Sequence, residues 1–197
     1  MAHVAESIRK LIALNGEGAP VMAKQFLHLA SRAAVDQALS RLCRAGELQR
    51  AGRGVYVRQV TSRFGVRAPS PERVVEALAA LRGETIAPSG ASMANVLGLT
   101  TQVPVRTVYL TSGPTRRLKL GAQEIELQHA RPWELLWPKQ LEGHVIRVLS
   151  VLGTGEIAHK IGVLRQRLSP RERQKVAAAS VRVPSWMAAR MTALGHD

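Results

Sequence analysis

The chain has 197 residues, of which 46% are hydrophobic and only 4% aromatic, and its formal net charge is +14. A balance this basic favours a polyanionic partner, most often nucleic acid. The single cysteine, Cys43, excludes an intramolecular disulfide and a cysteine-rich zinc site, and its place on an apolar helix side indicates a small buried thiol. No segment has the roughly 18 consecutive apolar residues that span a bilayer, and MAHVAESIRK has no signal-peptide core. We therefore expect a cytoplasmic protein without a membrane partner.

The first thirty residues predict two amphipathic helices separated by a short strand. Apolar residues recur at helical spacing from Val4 to Asn15, and Asn15-Gly16 ends the pattern. Pro20 to Met22 is a candidate strand. Ala23 to Ala30 predicts a second short helix, with Leu27 among its inward-facing residues.

The stretch from Ser31 to Arg58 predicts a helix, a turn and a hairpin. Ser31 is a good N-cap, and the helix after it has one apolar side and one side rich in Arg, Gln and Ser. Gly46 ends the helix, and two β-prone runs then flank Ala51-Gly52-Arg53-Gly54. Helix, small strand, helix, helix and hairpin is the order of a winged helix-turn-helix, which commonly binds duplex DNA. Residues 1–60 are therefore predicted to be a DNA-binding domain with a net charge of +5, against +9 for the remainder.

The polar side of this helix and the hairpin tip supply the candidate DNA contacts. Helix-turn-helix proteins place such helix positions against base edges, whereas arginines at the helix end and in the wing are better placed for phosphate. The alternative is that these are ordinary solvated residues, or that the helix contacts protein. The residues predicted to contact DNA are Ser31, Arg32, Ala33, Asp36, Gln37, Ser40, Arg41, Arg44, Arg50 and Arg53.

The rest of the chain predicts a polar, basic linker over residues 61–70 and a second domain over 71–197. A helix begins at Ser70-Pro71, and three short strands follow, the second over 116–120 and the third over 123–129, as a small antiparallel meander. Helices are predicted over 142–152, 155–168, 169–180 and 184–194. The expected fold class is α+β, with an N-terminal winged helix-turn-helix followed by a mixed domain that has a small antiparallel sheet and C-terminal helices.

Patterns for catalysis, metals and cofactors are absent from the sequence. The six histidines form no HExxH motif, and there is no Walker A, G-x-G-x-x-G or G-x-S-x-G pattern. Glu156 and His159 are spaced like one carboxylate–histidine pair on a helix, and a solvent-facing pair is the simpler interpretation. We therefore expect no catalytic residue, no metal, no cofactor and no enzyme activity.

Two further basic clusters lie outside the predicted winged domain. Each is a candidate second basic surface for nucleic acid or another anion, and each is equally compatible with a solvated strand or helix face. Their members are Arg116, Arg117, Lys119, Arg165, Arg167, Arg171, Arg173 and Lys175.

With SRAAVDQALSRLCRAGEL and GRGVY followed by PSGASMANVLGLTTQVPVRTVYLTSG, the chain resembles the AbiEi family of bacterial antitoxins over nearly its whole length. The most specific motif is G-A-x-x-A-N-x-L-G-L-T-x-Q-V-P, from Gly90 to Pro104. The resemblance implies that the winged domain, through its third helix and the Arg50–Arg53 wing, binds repeats in its own promoter and represses the operon. It also implies that the C-terminal domain, here more compact than in longer members, counteracts a nucleotidyltransferase-like toxin without catalysis.

The expected partner is duplex DNA with repeated half-sites, bound cooperatively by a monomer or weak dimer. Two other functions stay open. One is a stand-alone transcriptional regulator without a toxin partner. The other is an RNA-binding protein, which the scarce aromatic residues disfavour because they offer few stacking platforms.

Overall fold

The structure is a computed structural model that describes residues 2–16, 18–63, 65–153, 155 and 157–195. Helices and small sheets alternate along the chain, and the predicted α+β class with a small antiparallel sheet and C-terminal helices is confirmed. The backbone divides into two compact units. The first unit is Met1–Glu84 with Arg117–Ile125, and the second unit is Thr85–Arg116 with Glu126–Asp197.

The N-terminal elements of the first unit contain the predicted helix, turn and hairpin. In chain order these elements are α1 (Ala2–Ala13), β1 (Pro20–Met22), a 3₁₀ helix (Ala23–Phe26), α2 (Arg32–Arg44), β2 (Leu48–Gly52), β3 (Val55–Arg58), β4 (Val60–Ser62), β5 (Gly65–Arg67) and α3 (Pro71–Arg82). β3 lies between β1 and β2 in an antiparallel sheet. The helix–hairpin interpretation of residues 31–58 is therefore confirmed at the level of its elements.

The core of this part of the first unit joins α1 and α2 to the sheet. Ile8 of α1 and Val35 and Leu39 of α2 are fully buried, and Tyr56 packs against the same cluster from β3. Each large apolar side chain buried in this way stabilises the fold by about 2 kcal/mol. Because these residues fix the rotation of α2, the opposite side of that helix is directed away from the core.

The second predicted helix, Ala23 to Ala30, is shorter than the sequence suggests. Only Ala23–Phe26 is helical, and its geometry is 3₁₀. The Gln25 side chain accepts a hydrogen bond from the Met22 backbone N–H at 2.7 Å, which closes the turn directly after β1. Leu27 is 44% exposed rather than inward-facing, because the helix ends at this residue.

The segment predicted as a linker contains a pair of strands. β4 and β5 are antiparallel, with Val60 opposite Arg67. α3 follows and belongs to the first unit, where it contacts β1, whereas the sequence-based boundaries place it in the C-terminal domain. The apolar side of α3, with Val74, Val75 and Leu78, is fully buried, so this helix is part of a core and not of a tether.

The remaining elements form a four-stranded sheet and a group of helices. They are β6 (Ile86–Pro88), α4 (Gly90–Val96), β7 (Thr107–Thr111), β8 (Arg116–Leu120), β9 (Gln123–His129), a 3₁₀ helix (Pro132–Leu135), α5 (Leu141–Val151), α6 (Ile157–Arg167), α7 (Pro170–Ala178), a 3₁₀ helix (Ala179–Arg182) and α8 (Ser185–Gly195). The four predicted C-terminal helices are confirmed as α5 to α8. No helix in the described ranges is both long and apolar enough to cross a membrane.

The sheet is not the simple meander that the sequence suggests. Its strand order is β6-β7-β9-β8, so β9 lies between β7 and β8. The Ala130 N–H donates to the Thr111 carbonyl at 2.9 Å, and the His129 N–H donates to Thr115 Oγ1 at 2.9 Å. These bonds return the end of β9 to the end of β7, a pairing that alternation along each strand does not specify.

The core of the second unit is helical and is centred on α5. Val145, Ile146 and Leu149 are fully buried in one cluster with residues of α4, α6, α7 and α8. α4 packs directly on α5 at Gly90, where an added Cβ would overlap the Arg147 carbonyl oxygen. A glycine is therefore required for this close approach.

A buried arginine organises the segment that leads into α5. Arg147 has no exposed surface, and its guanidinium donates to the carbonyls of Glu134 and Leu136 at 3.2 Å and of Pro138 at 3.0 Å. Burial lowers the pKa of Arg147 to about 10. The side chain is still a cation at neutral pH, and backbone carbonyls serve as its partners.

Candidate nucleic-acid interface

Residues that can be recognised in the sequence set the two ends of α2. Ser31 is extended, and its Oγ accepts a hydrogen bond from the Ala34 N–H at 3.4 Å. Beyond the end of the helix, Gly46 adopts a left-handed conformation with φ of 74°. A side chain at this φ would be strained, which explains the glycine.

The ten predicted DNA contacts all lie at the surface of the first unit. Asp36 is half-buried and the others are exposed. The buried side of α2 is formed by Val35, Ala38, Leu39 and Leu42, so the polar residues form a continuous opposite side. The members on or next to α2 are Ser31, Arg32, Ala33, Asp36, Gln37, Ser40, Arg41 and Arg44, and those in the hairpin are Arg50 and Arg53.

Arg32 connects the start of α2 to the tip of the hairpin. Its Nε donates to Asp36 Oδ2 at 2.9 Å, and both side chains are about half exposed. A Cβ placed on Gly54 would lie 4.0 Å from Arg32 Nη2. One guanidinium is therefore close to both the helix and the hairpin tip. Because the ion pair is exposed, it contributes at most about 1 kcal/mol and can open for another anion.

The hairpin tip is short and anchored. β2 has a bulge between Arg50 and Gly52, and the turn is Arg53-Gly54 with a φ of 67° at Gly54. The Gly54 carbonyl accepts a hydrogen bond from the Ala23 N–H at 3.1 Å. This anchor leaves Arg53 exposed on a tip whose backbone is fixed. Among the described residues, Arg50 and Arg53 form no ion pair.

The β8 strand lies beside this hairpin in the first unit. A Cβ on Gly52 would lie 3.2 Å from the Leu118 side chain, and Gln49 Nε2 donates to the Lys119 carbonyl at 3.2 Å. Leu118 is buried, whereas Arg117 and Lys119 are exposed, as strand alternation predicts. These two cations therefore belong to the same compact unit as the hairpin.

Most of the other cations in the two predicted basic clusters form hydrogen bonds or ion pairs within the protein. Arg165 donates to the Ala193 carbonyl of α8, and Arg167 donates to the Leu97 carbonyl after α4. Lys175 pairs with Glu142 at 2.8 Å and lies 4.8 Å from the centre of the Trp137 ring. Arg116 donates to the Pro114 carbonyl at 3.2 Å, and Arg173 also has an interaction partner. Arg171 is exposed. Of the eight residues, two (Arg117 and Lys119) belong to the first unit and the other six to the second.

Sequence reasoning missed a three-residue cluster that ties α1 to the turn after α2. The Arg9 guanidinium donates to both Glu47 carboxylate oxygens, at 2.7 and 2.9 Å, and also to Glu6. The hydrogen bond from Arg9 lowers the pKa of Glu47 below its usual range. Arg9 and Glu47 are 38 residues apart, so no local pattern could have paired them.

The remaining candidate reactive groups of the sequence are the Glu156–His159 pair and Cys43. In the part of the chain that the structure describes, no three His, Cys, Asp or Glu side chains are grouped to hold a metal ion. Glu156, half of the carboxylate–histidine pair, lies outside the described residues. Cys43 is half-buried against the core of the first unit, and this burial raises the pKa of its thiol.

Comparison with known protein families gives a match over most of the chain. Residues 7–175 match a family described as a family of unknown function, DUF6088. That description names no activity, ligand or partner. No curated protein and no solved structure matches the chain.

Proposed function

The chain belongs to DUF6088, a family of unknown function, and we propose that it is a cytoplasmic, DNA-binding antitoxin that represses its own operon. In this proposal α2 and the β2–β3 hairpin of the first unit bind duplex DNA at repeated half-sites in the promoter. The second unit counteracts a nucleotidyltransferase-like toxin. The protein is a monomer or weak dimer that binds cooperatively, and it has no catalytic role.

The polar side of α2 together with the hairpin tip carries the DNA-binding part of the proposal. α1, β1, the 3₁₀ helix, α2 and the β2–β3 hairpin follow in the order expected of a winged helix-turn-helix. Arg32 reaches from the helix towards the tip, while Arg41 and Arg53 are exposed. Residues near the start of such a helix read base edges, and wing arginines bind phosphate or enter a minor groove.

The overall charge supports the same partner. The first unit has 15 Lys and Arg residues against 8 Asp and Glu, and the second has 13 against 6, so each carries +7. Both units are therefore attracted to a polyanion, and the affinity should fall steeply as salt displaces phosphate contacts. The antitoxin part of the proposal depends on the resemblance of residues 31–58 and of the Gly90–Pro104 motif to the AbiEi family.

The DNA-binding part is tested with a labelled duplex from the chain's own promoter and an unrelated duplex of equal length. We expect Arg32→Ala and Arg41→Ala to weaken binding to the promoter preferentially. Arg53→Ala should weaken binding to both duplexes by about five- to tenfold and reduce the salt slope by about one. Lys10→Ala, which removes an exposed cation of α1, is the matched control and should bind like wild type.

The same titrations can overturn the assignment. If wild type does not prefer the promoter duplex, or if all three arginine variants bind like Lys10→Ala, α2 and the hairpin are not the DNA interface. The antitoxin part is tested by expressing the full chain with the protein encoded beside it in the genome. The full chain should restore the growth of cells in which the neighbouring protein alone stops it. Failure to restore growth would contradict the antitoxin part and leave the DNA-binding part unaffected.

A further inference from the structure

The Gly90–Pro104 motif has no part in the proposed DNA interface, and several of its residues build a fixed loop. Asn95 Nδ2 donates to the Thr100 carbonyl at 3.3 Å and to the Gln102 carbonyl at 3.2 Å. Gly98 has a φ of 63°, and Leu99 is buried in the helical core. The segment after α4 is therefore folded back on the end of that helix and held there.

Three valines in and after this motif are exposed. Val96 is 70% exposed, Val103 is 75% exposed and Val105 is fully exposed. Val96 follows Asn95 and Val103 follows Gln102, so the Asn95–Gln102 bond brings the first two valines to the same end of α4. We refer to Val96, Val103 and Val105 as the valine face. Clustered exposed apolar residues on a fixed loop are typical of a surface that another molecule covers.

The valine face is bordered by cations. Arg106 follows Val105 and is exposed, while Lys160 and Arg167 of α6 donate to the carbonyls of Leu99 and Leu97 beside it. Those bonds hold both cations at the loop. From Thr85 to Gln123 the sequence contains no Asp or Glu.

The carboxylates that the structure describes in the second unit have partners of their own. Glu142 pairs with Lys175, Glu134 accepts from the Arg131 N–H, Glu172 caps α7 through Ser169, and Glu126 accepts from Gln128. Glu156 and Asp197 lie outside the described residues. The described side chains placed at the border of the valine face are the cations Arg106, Lys160 and Arg167, and a basic border complements an acidic surface.

An acidic protein fits this combination better than the other occupants. Valine offers no flat ring on which a nucleobase stacks, and Thr85–Val108 contains no aromatic residue. A second copy of this chain would bring the same cations face to face and add another +14 of charge. A bilayer surface is usually entered by Trp, Phe or Leu, and this loop has none of them beyond the buried Leu99 and the half-buried Leu97.

We propose that the valine face, with its border of Arg106, Lys160 and Arg167, is the docking site for an acidic protein. The apolar centre supplies contact area and the cations set orientation and association rate. The identification of this partner as the counteracted toxin rests on the proposed function. The proposal that the valine face is a docking site does not depend on it.

The test places a photocrosslinking p-benzoylphenylalanine at position 103 of the full chain in its native cells. Val181, which is 88% exposed in the same unit, is the matched control position. The crosslinked protein is identified, purified and titrated against wild type, Val103→Asp, Arg106→Glu and Val181→Asp. Vesicles of phosphatidylglycerol and phosphatidylethanolamine, and the promoter duplex, are titrated in parallel. Melting temperatures and promoter affinities show whether each variant is folded.

The proposal expects one acidic protein that crosslinks at position 103 and not at 181. Its affinity should fall about tenfold or more for Val103→Asp and Arg106→Glu, and stay unchanged for Val181→Asp. Crosslinks only to DNA, to another copy of this chain or to lipid would overturn it, as would a partner that is indifferent to Val103→Asp. An acidic partner unrelated to nucleotidyltransferases would leave the docking site standing and show that this surface does not bind the toxin. Promoter binding with no crosslinked partner would overturn the docking site and leave the proposed DNA binding intact.

Discussion

Two pairs of arginines, Arg41 and Arg44 in α2 and Arg165 and Arg167 in α6, occupy the last turn of their helices and look alike in the sequence. In α6 both guanidiniums donate to backbone carbonyls at the ends of other helices. In α2 both side chains are exposed and form no ion pair with any described residue. Basic clusters of the same composition can therefore be hydrogen-bonded to their own backbone or lack such bonds, and only the position of the acceptors separates the two cases.

The second unit uses this structural role repeatedly. Arg147 is fully buried on three carbonyls, and Arg190 donates to the carbonyls of Leu149 and Leu152 while its guanidinium lies 5.1 Å from the centre of the Trp186 ring. Orphan carbonyls at helix ends need donors, and arginine supplies several from one side chain. The +7 of this unit is therefore partly a consequence of how its helices end.

The largest expected effect comes from removing the most buried of these cations. Arg147→Met should lower the free energy of unfolding by about 2–4 kcal/mol, because three carbonyls lose their donor inside the core. Urea denaturation of the full chain measures this. Arg171→Met, at an exposed arginine of α7, is the control and should change stability by less than about 0.5 kcal/mol. Equal stability of the two variants would contradict the structural role of Arg147.

The matched arginine pairs give the next largest effect and test the comparison directly. Arg41→Ala with Arg44→Ala should reduce promoter affinity about tenfold or more, with little change in melting temperature. Arg165→Ala with Arg167→Ala should lower the melting temperature and leave promoter affinity within about twofold at temperatures where the protein is folded. The comparison fails if the α6 pair weakens DNA binding as much as the α2 pair does.

A smaller effect is expected at the start of α2. Ser31→Ala should cost about 1 kcal/mol of stability, because the Ala34 N–H loses its side-chain acceptor. Ser31→Asp keeps an acceptor and should be close to wild type in stability, which denaturation of both variants will show. The same variants separate the two roles of Ser31, since a loss of promoter affinity at full folding would indicate contact with DNA as well as capping.

The smallest expected effect is a pH dependence at the Arg9–Glu47 contact. Because the pKa of Glu47 is lower in the folded protein, its contribution to stability is present above the unfolded pKa and is lost as pH falls through the folded value. Glu47→Gln should therefore reduce the loss of stability that accompanies acidification below about pH 4.3. Glu124→Gln, at an exposed carboxylate, is the control. Identical stability profiles for wild type and Glu47→Gln would contradict this contribution.

Local rules predicted the elements of the candidate interface well. The Ser31 cap, the apolar side of α2, the end at Gly46 and the β2–β3 hairpin depend on residues a few positions apart, and the structure confirms each. The predicted second helix was too long, because the contact between Gln25 and Met22 at the end of β1 closes only a 3₁₀ turn. The DNA-contact roles of Ser31 to Arg53 stay predictions.

By itself the sequence determined most of the helices and strands and which side of α2 is polar, since these properties repeat over a few residues. It did not predict β4 and β5, which lie where a linker was expected. Only the tertiary structure decided where each guanidinium finds its acceptor. The Arg165–Ala193, Arg9–Glu47 and Arg167–Leu97 contacts join residues 28, 38 and 70 positions apart. It also placed α3 in the first unit and β9 between β7 and β8. These choices depend on which surfaces meet after the elements form, and a long flexible side chain gives no sign in its local sequence of the partner it will reach.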